Sequence, residues 1–65
     1  MVKFPNIKVK LRGADGNAFN IMGIVKVALQ KNKVPKEDID QYLKESMSGD
    51  YDNLLRVAME TVNVN

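Results

Sequence analysis

Three basic side chains recur at every second position near the start of the chain: Lys8, Lys10 and Arg12. Extended backbone sends alternate residues to one face, so this spacing sets three cations in a row. Such a row can face an anionic partner, and Lys3, Lys26, Lys31, Lys33 and Lys36 can add to it. Proteins that grip single-stranded nucleic acid also need aromatic platforms for the bases. None interrupts this row, and Phe4 and Phe19 only flank it. A solvated strand face is the simpler account, and nucleic acid is the alternative partner.

Gly13 and Gly16 precede a predicted helix, a placement that can aim backbone N–H groups at an anion. The Gly-Lys-Ser/Thr ending of a phosphate loop is missing, as is the third glycine of a dinucleotide loop. Asp15 inside the segment would repel phosphate, so an ordinary strand-to-helix turn is expected. The acidic pairs Asp38/Asp40 and Asp50/Asp52 are two residues apart, which on a helix points the members away from each other. No metal site is expected from them.

The chain has no Cys and no His. That excludes disulfides, thiol nucleophiles, Cys/His zinc sites and imidazole acid–base catalysis. Ser46, Ser48 and Thr61 are the available hydroxyl nucleophiles, with lysine as the plausible base. A domain this small has little room for a pocket above about 300 Å³. The expectation is a protein that is not an enzyme and binds no cofactor.

The elements that carry these residues follow from periodicity. The chain has 65 residues, 45% hydrophobic and 28% charged, which suits one small folded domain over 1–65. Ile7, Val9 and Leu11 alternate with Lys8, Lys10 and Arg12, predicting a strand over 6–12. Asn17 is placed to cap a helix over 18–31, whose broad apolar arc includes Ile21, Met22, Val25 and Leu29. Gly23 costs helix stability there, so either something comes close to it or it is exposed. Pro35 opens a second helix, 36–47, with the stripe Ile39, Tyr42, Leu43, Ser46 and Met47. Asp50 caps a third, 51–61, with Leu54, Leu55, Ala58 and Val62 inward and Asp52, Arg56 and Glu60 as an outer charge ladder. Residues 62–65 alternate again and are the only available partner for the first strand. The predicted fold is α+β: three helices with a two-stranded sheet from the terminal segments, in the order β-α-α-α-β, with strand direction left open.

The segments Asp15-Gly16-Asn17-Ala18-Phe19, Val34-Pro35-Lys36-Glu37-Asp38-Ile39 and Ser48-Gly49-Asp50-Tyr51-Asp52-Asn53-Leu54-Leu55 carry a resemblance. Over nearly its whole length the chain resembles a group of very small uncharacterised, hypothetical bacterial proteins, some in phage or mobile-element contexts. The matching words are turn and cap motifs. The resemblance implies a compact α+β domain and transfers no activity and no site.

Two features bear on partners. Residues 1–36 hold eight bases and one acid, whereas 37–65 hold two bases and seven acids, so the chain is strongly dipolar. Mutual attraction of the two halves accounts for part of this; an anionic partner is the sharper reading. Apolar residues also fall off the core arcs: Phe19, Val27, Val57 and Met59 are the candidates for a partner-binding patch. The expected function is therefore a protein–protein interaction module, through a protein partner or self-association. The alternative is nucleic-acid binding by Lys8, Lys10 and Arg12. The first residues lack the apolar core of a signal peptide, and no segment is apolar enough to span a membrane, so a cytoplasmic location is expected.

Overall fold

The computed structural model describes residues 2–11 and 16–64. Strand β1 (Phe4–Val9) leads to α1 (Ala18–Lys31), α2 (Lys36–Ser46) and α3 (Tyr51–Thr61), and the chain closes with β2 (Val62–Val64). The α+β class and the element order are as predicted. The two strands pair in parallel, with Phe4 opposite Val62, Lys8 opposite Asn63 and Val9 opposite Val64. Parallel strands require the intervening chain to travel back to the starting end of the sheet. Three helices, an odd number, make that return.

The first strand starts earlier and stops sooner than alternation alone suggests. Phe4 joins the ladder because Val62 lies opposite, and the register is irregular between Phe4 and Lys8. Pro5, which has no N–H to donate, lies in that irregular stretch. The ladder ends at Val9 because β2 is only three residues long. Leu11 still packs on the core beyond it, and the remainder of the predicted strand, Arg12, lies outside the described residues.

Ile7 and Val9 turn one face of the sheet onto the helices, with α1 packed beneath β1 and α3 beneath β2. They meet Val25, Leu29, Ile39, Tyr42, Val57, Ala58 and Val62 in the main core. Ile21, Met22 and Leu54 form a second cluster, and Leu11 and Leu43 pack against both. Two residues need correcting. Val57 is buried at 6% exposure, inside the core, and is not a surface candidate. At 100° per residue it lies only about 60° from Leu54, whereas Leu55 lies about 100° to the other side and is half-buried. Met47, expected in the α2 stripe, is exposed because the helix ends one residue before it.

Side chains and backbone close each helix. Asn17 Oδ1 accepts from Phe19 N–H at 2.8 Å, and Asp50 Oδ1 accepts from Asn53 N–H at 2.9 Å. Asn53 does more. Its Nδ2 donates to the Glu45 carbonyl at 3.0 Å, tying α3 to the end of α2, and its Oδ1 accepts from Arg56 at 2.6 Å. A Cβ at Gly49 would come within 2.9 Å of the Asn53 side chain, so that turn has no space for a larger residue. The end of α1 is closed by Lys33 N–H donating to the Gln30 carbonyl and Val34 N–H donating to that of Leu29, both at 3.1 Å. That pattern puts Lys33 at φ 59, where glycine is the usual residue.

Tyr42 is the one buried polar side chain without a partner among the described residues: its phenol oxygen makes no hydrogen bond. The nearby Ser46 hydroxyl is committed to the Tyr42 carbonyl at 2.9 Å. Burial raises the Tyr42 pKa above its ordinary value near 10.

Lys33→Gly removes the left-handed penalty and is expected to raise unfolding stability by about 1 kcal/mol in urea titration. A loss of stability would mean the Lys33 side chain makes up for its backbone. Tyr42→Phe removes an unpaired buried hydroxyl and is expected to stabilise by about 1 kcal/mol at neutral pH. The folded-state phenol holds its proton more tightly than the unfolded one, so its contribution is complete below pH ~10 and declines as pH rises through that value. The gap between Tyr42→Phe and the parent should therefore widen above pH ~10, and a constant gap would contradict this.

Candidate functional site

The three aliphatic hydroxyl groups are all engaged by backbone. Ser46 Oγ donates to the Tyr42 carbonyl, Ser48 Oγ to that of Glu45 at 2.7 Å, and Thr61 Oγ1 to that of Val57 at 2.7 Å. Ser46 and Thr61 are also buried. Among the described residues none is hydrogen-bonded to a side-chain base. Among the described residues no group of three or more Asp or Glu side chains gathers around a point that could hold a metal ion. The glycine turn of the sequence, Gly13 to Asp15, lies outside the described residues.

Two of the concave surfaces among the described residues carry predicted partner residues, both along α1. The first is a depression of about 270 Å³ between the start of α1 and the turn from α2 to α3. Phe19 stands at its rim with 76% of its surface exposed, and Met47 and Tyr51 are exposed on the same depression. Buried Met22 and Leu54 form part of its lining. Phe19 is placed there by its position next to the Asn17 cap, off the arc that faces the core. Met47 arrives because α2 stops at Ser46, and Tyr51 because Asp50 starts α3 immediately after the Gly49 turn. Sequence periodicity singled out Phe19, while the contributions of Met47 and Tyr51 depend on how helix ends are placed.

The second surface is an open groove of about 630 Å³ between β1 and α1. It is larger than the composition argument allowed, because it is bounded by the edge of a two-stranded sheet and not enclosed within the helices. Lys8, Lys10 and Lys31 border it, with Val27 along its floor. Arg12, the third member of the basic row, lies outside the described residues. Gly23 also lines this groove, and a Cβ built on it would meet nothing within 4 Å. No described residue comes close to that glycine.

The predicted partner residues therefore do not form one patch. Phe19 and Val27 belong to different surfaces about 12 Å apart along α1. Met59 is exposed but borders neither surface, and Val57 is in the core.

The charge halves meet at a single ion pair among the described residues, Lys3 Nζ to Asp38 at 3.9 Å. The expected outer ladder of α3 is reduced to Arg56 with Glu60 at 3.1 Å. Lys8, Lys10 and Lys31 make no salt bridge among the described residues. Attraction between the halves leaves the basic groove unneutralised.

No protein-family model matches the sequence, and comparison with curated proteins and with solved structures finds no match. Function must be argued from the surfaces themselves. No helix among the described residues is long and apolar enough to cross a membrane.

Gly23 gives a direct test of the groove's openness. Gly23→Ala is expected to stabilise the helix by about 0.5–1 kcal/mol, because Ala is the better helix former and its methyl group enters open space. Thermal unfolding that shows a loss would mean something in the folded chain does approach Gly23.

Proposed function

We propose that this chain is a non-enzymatic protein–protein interaction module. The observation that carries the reading is the exposed apolar cluster of Phe19, Met47 and Tyr51 around one depression. Large hydrophobic side chains scattered singly are unremarkable, but a contiguous group around a concavity fits a docking surface. Phe and Tyr offer broad contact area at small entropic cost, and Met adapts to the shape that meets it. The engaged hydroxyls of Ser46, Ser48 and Thr61 and the absence of His and Cys favour binding over catalysis.

The nucleic-acid reading of Lys8 and Lys10 has less support. No aromatic side chain lines the groove that these lysines border. Phe19 faces the other surface.

Affinity capture from the source cell with the parent chain, with Phe19→Ser and with Met47→Ser tests the reading. Both substitutions fall at exposed positions, so melting temperature should change by less than about 4 °C. Recovery of the captured protein is expected to drop at least tenfold in each variant. Sedimentation of the parent over a range of concentrations shows whether the partner is a second copy. Equal recovery by folded variants would remove the Phe19 cluster as the binding surface.

A further inference from the structure

The groove beside β1 has a chemistry that the Phe19 depression lacks. Lys8, Val9 and Lys10 line it consecutively. Side chains alternate between the faces of a strand, so Lys8 and Val9, the last two residues of β1, border one cavity together along the strand's edge, with Lys10 just beyond them. No residue of β2, α2 or α3 contributes, which places the groove on the edge of β1 that β2 leaves unpaired. Such an edge offers backbone N–H and C=O groups to an incoming strand. The opposite wall is one face of α1, from Asn20 through Gly23 and Val27 to Lys31.

We propose that this groove binds an extended acidic segment of another protein, which adds to the open edge of β1 as a third strand. The inference shares with the proposed function only the premise that the chain binds protein, and it uses none of the Phe19 contacts. Four observations support it. The wall from Asn20 to Lys31 measures about 16 Å at 1.5 Å per residue, enough for about five residues of extended chain. The floor is aliphatic, so alternate side chains of the segment can be apolar and face α1. Lys8, Lys10 and Lys31 ring that floor without ion-pair partners among the described residues, which selects carboxylates on the remaining side chains. Gly23 leaves open space within the wall, at a cost in helix stability that no contact among the described residues explains.

Other occupants fit less well. A second copy pairing through β1 would set Lys8 and Lys10 against their own kind, and like charges across a strand pair are destabilising. Nucleic acid would find neither an aromatic platform nor a guanidinium among the residues described along the groove. Lysines on a strand edge also guard against aggregation. That role needs neither Lys31 nor Gly23, which lie on the facing helix.

The test is amide NMR titration of the full isotope-labelled chain with a nine-residue peptide of alternating glutamate and valine, at low salt. Saturable shifts are expected at residues 8–10 and along 20–32, with slower hydrogen exchange of β1 amides. The Lys8→Glu/Lys31→Glu double variant should weaken binding by roughly tenfold or more, and Gly23→Met, which adds no charge, should also weaken it. Phe19→Ser should leave it unchanged. A peptide N-methylated at alternate positions, unable to donate along the strand edge, should not bind. Absence of saturable shifts overturns the proposal, and so does equal binding of the N-methylated peptide, which would signify charge attraction alone. Tighter binding of oligothymidylate at the same residues assigns the groove to nucleic acid and also overturns it. So do concentration-dependent β1 shifts without peptide, which assign the edge to a second copy. Peptide binding with no capture through Phe19 retains this inference and rejects the Phe19 reading; capture through Phe19 without peptide binding does the reverse.

Discussion

The pairing of Phe4–Val9 with Val62–Val64 is the constraint on which the rest of the molecule depends. It joins the two ends of a short chain, so closing it carries the loop entropy of everything in between. The strands alone cannot meet that cost, because β2 is three residues long and an isolated strand pair is marginal in water. Stability has to come from the three helices packing under the sheet. Ile7 and Val9 from one end and Val62 from the other meet Val25, Leu29 and Ala58 in one core. Sheet and helices are thus mutually dependent: the strands align the inward valines, and the helices supply what they bury against.

That architecture also fixes the electrostatics. The basic residues lie mainly in the first 36 positions, and the acidic ones mainly on α2 and α3. Packing the halves together could have neutralised both, yet the lysines of the groove face away from the acidic helices. Lys3 with Asp38, both partly exposed and at 3.9 Å, is a weak link between the halves. The field of the basic half therefore extends into solvent along one side of the molecule. An anion approaching that side meets an apolar floor between the cations.

Much of the fold was legible in the sequence because its signals are local. Asn17 and Asp50 caps, Pro35 before α2 and the Ser48-Gly49 turn mark helix limits through backbone chemistry that needs no tertiary context. Pro35 itself falls one position before α2, within the ordinary fraying of helix limits. Strand direction was not legible, because the alternation of each strand is the same in either direction; the parallel pairing comes from the structure. Side-chain placement at the margins was less accessible. Val57 and Leu55 flank the α3 stripe on opposite sides, and only the position of neighbouring elements decides which one is buried. Met47 left its stripe because α2 ended one residue early. The groove depends on which edge of β1 receives β2, a choice that no spacing in the chain encodes.

The junction between α3 and β2 has no linker: Thr61 is the last helical residue and Val62 the first of the strand. Thr61 is itself buried, its hydroxyl bonded to the Val57 carbonyl. Helical phase and strand register are therefore geared together. Turning α3 by one residue would rotate its apolar stripe by about 100° and, in the same step, swap the inward Val62 for Asn63. A single inserted or deleted residue within α3 disengages both mechanisms at once, whereas a change in the turn before Tyr51 reaches neither. The three-residue strand is in effect the last tooth of the helix, engaged where Val62 lies opposite Phe4 and Val64 opposite Val9.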